Sequence, residues 1–114
     1  QKEIVIENII NNSSKEDIET AKILTDLLSS NRASNYHDWI RVGWCLFNID
    51  NSLLNVWIEF SKKTTDNKQF KEGECEKLWK TFKKKYLGLG SLRNWAKYDN
   101  FEGFLEYKEE LHLP

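Results

Sequence analysis

The sequence predicts an all-α protein, a compact bundle of five or six short helices. Apolar residues recur every three or four positions in separate segments, most clearly at Cys75, Trp79 and Phe82. Candidate helix caps stand between these segments, and no two stretches show the alternation that is typical of paired strands. The 114 residues include five tryptophans, so one domain of this length can bury a substantial core.

The first helix is expected to begin after Ser14, which is a suitable N-cap. Residues 1–13 are predicted to be a linker from an upstream domain, and residues 14–114 to form the helical domain. Residues 29–35 are expected to end the first helix. Its predicted buried face consists of four residues at helical spacing: Ile18, Ala21, Leu24 and Leu28.

The second helix is expected to be capped by Ser34 or Asn35. A glycine inside a helix costs about 1 kcal/mol relative to alanine, so Gly43 is expected to let another helix approach closely. The predicted inner face of the second helix is Tyr36, Trp39, Ile40, Gly43, Leu46 and Phe47. The predicted apolar residues of the third helix are Leu53, Leu54, Trp57, Ile58 and Phe60.

The fourth helix is expected to end in the basic residues 83–85, which oppose the negative end of the helix dipole. Gly88 and Gly90 are expected to break this helix, and Ser91 to cap a short one. Asn100 is expected to cap the last helix. The apolar residues of these two final helices are Leu92, Trp95, Ala96, Phe101, Phe104, Leu105 and Leu111.

The cysteines and histidines do not form a recognisable catalytic or metal site. His37, His112, Cys45 and Cys75 lack the paired spacing of zinc ligands. A Cys45–His37 dyad would have to span two helical turns, about 12 Å. We therefore predict no catalytic residue, no metal, no cofactor, and two buried reduced thiols of the kind found in intracellular proteins. No apolar run approaches the roughly 20 residues that would span a membrane.

The glycines in residues 88–92, GLGSL, do not match a phosphate-binding loop. The pattern G-x-G-x-x-G would need glycine where Arg93 stands, and no strand precedes it. These glycines are expected to join two helices.

Positive charge is concentrated in residues 77–97, which carry seven basic side chains and no acidic one, although the net charge of the chain is -1. Two interpretations are open: a solvated basic helix end, or a surface that contacts nucleic-acid phosphates. The second is favoured by a following helix whose first N–H groups, at Ser91, Leu92 and Arg93, would attract an anion. The predicted nucleic-acid contacts are Lys80, Lys83, Lys84, Lys85, Ser91, Arg93 and Lys97.

Four short aromatic motifs occur in order along the chain. They are Y-x-x-W-I-x-V-G from Tyr36, L-x-x-W-x-E-x-S from Leu54, F-x-x-x-E-C-x-x-x-W-x-x-F from Phe70 and G-S-L-x-x-W-A-K from Gly90. This series resembles the primase C-terminal domain of the second type, over residues 32–100. Its fold-defining core is expected to include Tyr36, Trp39, Gly43, Trp57, Trp79, Phe82, Leu92 and Trp95.

The resemblance implies a small helical module that lies between a primase domain and a superfamily 3 helicase domain, in large DNA viruses, phages or mobile elements. It implies a non-catalytic accessory role in replication initiation, at the viral replication site of the host cell. The expected partners are single-stranded or primer-template DNA and the primase and helicase domains of the same chain. The alternative is a protein-interaction or oligomerisation module without DNA binding.

Overall fold

The computed structural model describes residues 15–65, 70–83 and 87–112, and every regular element in this part of the chain is a helix. The predicted all-α fold class is therefore confirmed. The linker predicted for residues 1–13, and the cap predicted at Ser14, lie outside the described residues. The elements are α1 (15–26 in the described part), α2 (Ser30–Ser34), α3 (Tyr36–Ile49), a 3-10 turn (Asn51–Leu53), α4 (Leu54–Ser61), α5 (Glu74–Thr81), α6 (Leu89–Asp99) and α7 (Phe101–His112).

The short helix α2 was not predicted, and it occupies the segment that was expected only to end α1. Ser29 caps it, because the Ser29 hydroxyl accepts a hydrogen bond from the N–H of Arg32 at 3.2 Å. Asn35 then ends α2 and begins α3, since its side chain accepts from the N–H of Asp38 at 3.1 Å. Of the two caps predicted for α3, Asn35 is the one that the structure uses.

The centre of the core is a pair of tryptophans on α3 and α4. The rings of Trp39 and Trp57 stack with their centroids 4.7 Å apart, and the indole N–H of Trp57 donates to the Trp39 carbonyl at 3.1 Å. A Cβ added at Gly43 would lie 2.6 Å from the Trp57 ring. The close approach predicted from this glycine is confirmed, and it is what lets the Trp57 ring lie against the backbone of α3.

A buried serine links the same two helices to α5. The indole N–H of Trp39 donates to the Ser61 hydroxyl at 2.6 Å, and this hydroxyl donates to the Trp57 carbonyl at 2.7 Å. The thiol of Cys75 lies 3.3 Å from the same oxygen. Ser61 is 1% exposed, so each of these polar groups finds its partner inside the protein.

Two long-range contacts fix the outer helices. Arg32 of α2 donates from Nε and Nη2 to the two carboxylate oxygens of Asp99, at the end of α6. Lys63, just after α4, donates to the carbonyls of Asp26 and Leu28 at 2.7 and 2.9 Å, and so binds carbonyl groups at the C-terminal end of α1.

Most of the predicted core is buried, but Tyr36 is not. Trp39, Trp57, Trp79 and Leu92 are each at most 5% exposed, and Gly43 is buried as well. Phe82 and Trp95 are half-buried and pack against the core. Tyr36 is 50% exposed, because it is the first residue of α3 and lies at the edge of the cluster, beside Trp39.

The last helix begins as predicted, since the Asn100 side chain caps it by accepting from the N–H of Gly103 at 3.0 Å. Its apolar residues are only partly buried. Phe104 and Tyr107 are buried, whereas Phe101 and Leu105 are 52% and 43% exposed. These two residues lie about a third of a turn round the helix from the buried pair. The side chain of Leu111 lies outside the described residues.

Candidate nucleic-acid interface

The described basic residues of the predicted interface lie on the surface, but their helices differ from the prediction. α5 ends at Thr81 because Phe82 is extended, with φ -68° and ψ 146°. Lys83 therefore follows the helix, and the expected basic last turn at residues 83–85 is wrong for Lys83. Lys84 and Lys85 lie outside the described residues.

The anion site predicted at the start of α6 is also corrected. The helix begins at Leu89 with Gly88 as its cap, two residues before the expected cap Ser91. The N–H groups of Ser91 and Leu92 both donate to the Gly88 carbonyl, at 3.1 and 3.2 Å. They are consequently occupied within the protein and do not point at an anion.

Ser91 is half-buried, and its hydroxyl is hydrogen-bonded to the thiol of Cys45 on α3. Its side chain therefore serves the packing of α6 on α3, not an external surface. This removes Ser91 from the residues that favour a phosphate contact.

Four basic side chains are left as candidates: Lys80, Lys83, Arg93 and Lys97. All four are exposed, and none forms an ion pair with another residue that the structure describes. Arg93 and Lys97 are one turn apart on the same side of α6. We call these four residues the basic surface.

The residues of the basic surface lie on or next to two helices, α5 and α6, that pack on different partners. Among the described elements, α5 packs mainly on α4, whereas α6 packs on α3 and α7. Lys80 and Lys83 are thus supported by a different part of the fold from Arg93 and Lys97.

The two tryptophans of this stretch are not available for stacking on a nucleic-acid base. Trp79 is 5% exposed, and its indole N–H donates to the Asn51 side chain at 2.8 Å. Trp95 is half-buried, and the guanidinium of Arg32 lies 5.3 Å from its ring centroid. The prediction that these rings belong mainly to the packed interior is confirmed.

A surface pocket next to Lys83 was not predicted from the sequence. It has a volume of about 300 Å³ and lies between α3 and the end of α5. The signal was present as Tyr36, Ile40 and Trp44, which recur every four residues and so line one side of α3. The lining residues are Tyr36, Ile40, Trp44, Leu78, Thr81, Phe82 and Lys83.

The two thiols are unsuited to nucleophilic chemistry at neutral pH. Burial raises the pKa of Cys45 to about 12, against the opposing effect of its hydrogen bond with Ser91. Burial also raises the pKa of Cys75. His37 is exposed whereas Cys45 is fully buried, so the two do not form a dyad.

The described part of the chain contains no cluster of three His, Cys, Asp or Glu side chains that could hold a metal ion. Within the same residues, no helix combines the length and the apolar character needed to cross a bilayer.

A sequence profile described as Primase C terminal 2 (PriCT-2) matches residues 21–96, about two thirds of the chain. The chain belongs to the PriCT-2 family. The match covers most of the helical unit, from the middle of α1 to Ala96 in α6, and it confirms the resemblance seen in the four aromatic motifs.

Curated relatives of this PriCT-2 domain come from large DNA viruses and are named as predicted helicases. One from Acanthamoeba polyphaga mimivirus is 40% identical over 104 residues, which is 90% of this chain and 11% of the relative. One from Invertebrate iridescent virus 3 is 27% identical over 86% of this chain and 11% of the relative. One from Invertebrate iridescent virus 6 is 38% identical over 76% of this chain and 10% of the relative.

The chain therefore spans about a tenth of the length of these relatives. No solved structure matches it significantly.

Proposed function

We propose that this PriCT-2 domain is a non-catalytic accessory domain of a viral DNA primase-helicase, which contacts template phosphates and joins the primase and helicase domains. The parent protein would be a primase and an ATP-dependent superfamily 3 helicase, acting at the viral replication site in the host cell. The domain itself would need no cofactor. The helicase names of the viral relatives and the family membership support this role.

One observation carries the proposed DNA contact: four exposed cations of the basic surface have no partner within the described chain. Such cations bind phosphates by displacing condensed counterions, which gives affinity without sequence preference. Lys84 and Lys85 would add to this surface on the evidence of the sequence.

The strength of the effect can be measured from its salt dependence. Four contacts to a single strand predict that the logarithm of the binding constant falls with the logarithm of salt concentration with a slope of about -3. The measurement is fluorescence anisotropy of a labelled single-stranded oligonucleotide, titrated at several salt concentrations.

The test variant changes Lys80, Lys83, Arg93 and Lys97 together to Gln. We expect its affinity to fall and the magnitude of its salt slope to decrease by about 3. The matched control makes the same change in charge at four other exposed lysines: Lys15, Lys22, Lys62 and Lys108. Equal losses in the two variants would mean that overall charge, not the basic surface, determines binding.

The second candidate function is protein docking or self-association, which the exposed apolar residues of α6 and α7 favour. Tyr98 is 86% exposed, and Phe101 and Leu105 are 52% and 43% exposed on the adjoining helix. Light scattering over a concentration series tests self-association. A concentration-dependent mass that Phe101→Ser abolishes, together with no DNA binding by the unaltered chain, would favour this alternative.

A further inference from the structure

The geometry points to a base-stacking site for single-stranded DNA in the pocket beside Lys83, a role that rests on the proposed DNA-binding function. In this site one unpaired base lies against Tyr36, and the phosphate next to it binds Lys83. The occupant is a nucleotide of the single strand and not a duplex, because a paired base must first leave its stack, which costs a few kcal/mol.

The lining of the pocket has the composition that a stacking platform requires. Three aromatic rings line it, from Tyr36, Trp44 and Phe82. Bases of every kind stack on such rings, whereas a cation beside them binds the backbone. Lys83 supplies that cation, and it is the one charged residue among the described lining residues.

The charge of its lining residues distinguishes this pocket from three others on the described surface. The pocket between α1 and α4 includes Asp26 and Glu59, and the one between α1 and α7 includes Glu16 and Glu19. The pocket beside Lys80 includes Glu76. These pockets also include lysines, namely Lys22 and Lys63 in the first, Lys15 in the second and Lys80 in the third, but these at most balance the carboxylates. The pocket at Lys83 is the one of the four with a net positive lining, which suits a polyanion.

The Tyr36 ring is held in place although it is half exposed. The ring of Trp39 lies 5.6 Å from it and the ring of His37 lies edge-on at 6.0 Å, both measured between centroids. On the other wall, the rings of Trp44 and Phe82 meet edge to face at 6.3 Å. A ring that neighbours already orient loses little conformational entropy when a base stacks on it.

The size and place of the pocket match one nucleotide. Its volume of about 300 Å³ is at the lower end of the range for small-molecule sites. Lys83 belongs both to the pocket and to the basic surface. A strand whose phosphate binds Lys83 can therefore place the neighbouring base in the pocket.

Two oligonucleotides of equal length test the site in the 114-residue chain: oligo-dT, and an abasic strand that keeps the phosphates but lacks the bases. Anisotropy is measured with the unaltered chain, Tyr36→Ala, the control Tyr36→Phe, and Lys83→Gln. We expect Tyr36→Ala to bind oligo-dT about five- to 100-fold more weakly, with an unchanged salt slope. Tyr36→Phe keeps the ring and should bind normally.

The abasic strand separates stacking from charge. Tyr36→Ala should bind it as the unaltered chain does, because no base is present to stack. Lys83→Gln should weaken both strands and reduce the magnitude of the salt slope by about 0.7. Circular dichroism of Tyr36→Ala checks that the helical fold is retained.

The outcomes also distinguish this inference from the proposed function. Unchanged oligo-dT affinity in Tyr36→Ala, or equal affinity of the unaltered chain for both strands, overturns the base site while a steep salt slope still supports phosphate contact. A Tyr36-dependent affinity with a salt slope of only about -0.7 supports the site, whose one phosphate contact is Lys83, and contradicts the wider phosphate surface. If the unaltered chain binds neither strand, both are wrong. If Tyr36→Ala changes only self-association, the pocket is a protein contact and the inference fails.

Discussion

Arg32 and Asp99, which are 67 residues apart in the sequence, form a bidentate ion pair. The Nε of Arg32 donates to Oδ2 of Asp99 at 2.7 Å, and Nη2 donates to Oδ1 at 3.0 Å. The N–H of Ser29 donates to the same Oδ2 at 3.0 Å. The side chains of Arg32 and Asp99 are 12% and 5% exposed, so water solvates neither charged group well. This contact joins the start of α2 to the end of α6.

We predict that Asp99→Asn lowers the free energy of unfolding by about 2–3 kcal/mol, because the guanidinium of Arg32 loses a charged partner in a poorly hydrated place. Urea unfolding followed by circular dichroism measures the loss. Asp38→Asn is the control, since Asp38 is 3.9 Å from Arg32 and 39% exposed, and it should cost less than about 1 kcal/mol. Similar losses in the two variants would contradict the assigned role of Asp99.

The same ion pair should make the free energy of unfolding depend on pH in the acidic range. Burial would raise the pKa of Asp99, but the hydrogen bonds from Arg32 and Ser29 and the charge of Arg32 outweigh it, so that the pKa is lowered. The stabilisation is therefore fully present above the unfolded pKa of about 3.9 and is lost as pH falls through the folded value. Unfolding free energies measured from pH 5 downward should fall less steeply for Asp99→Asn than for the unaltered chain. Asp50, whose pKa is also lowered, accounts for some remaining slope.

Gly43→Ala is expected to destabilise the protein by about 1–3 kcal/mol, because the added Cβ would overlap the Trp57 ring at 2.6 Å. Thermal unfolding measures the change. Gly90→Ala is the matched control: it lies in α6, where a Cβ would meet nothing within 4 Å, and alanine favours the helix. If both variants were stabilised, the packing of Trp57 on the glycine would be less close than described.

Ser61→Ala is expected to cost about 1–3 kcal/mol, since it leaves the buried N–H of Trp39 without an acceptor. Ser30→Ala replaces an exposed serine and should change stability little. In a double-mutant cycle with Trp39→Phe, the double mutant should lose less unfolding free energy than the sum of the losses in the two single mutants. Full additivity would show that the hydrogen bond contributes nothing.

The thiols of Cys45 and Cys75 are expected to resist a disulfide reagent such as dithionitrobenzoate at neutral pH. Both are at most 1% exposed, and burial raises the pKa of each. In denaturing urea both should react fully. Fast reaction of either thiol in the folded chain would contradict its described burial.

Local signals predicted much of this fold. Asn35 and Asn100 were predictable as caps because a cap depends on the nearest four residues. Gly43 was predictable because glycine inside an apolar helical face is unfavourable without a close neighbour. The identity of that neighbour, Trp57, depends on how α3 and α4 cross and was not available from spacing.

The errors occur where tertiary contacts decide the outcome. Periodicity placed Tyr36 on the same face as Trp39, but it does not say how far the opposing helix extends. Ser91 looks like a cap in isolation, yet α6 begins two residues earlier, at Leu89. The Gly88 carbonyl accepts the N–H groups of Ser91 and Leu92, and the Ser91 hydroxyl binds Cys45. The pocket at Lys83 combines α3 with the end of α5, so no single stretch of sequence contains it.

The buried cluster reaches beyond the part of the chain that matches the family profile. Phe104 and Tyr107 follow residue 96, the last matched position, and both are core residues. Lys63 holds carbonyl groups at the end of α1, which begins before residue 21, the first matched position. A recombinant fragment trimmed to residues 21–96 would therefore leave apolar surface uncovered, and fragments for expression are better cut outside α1 and α7.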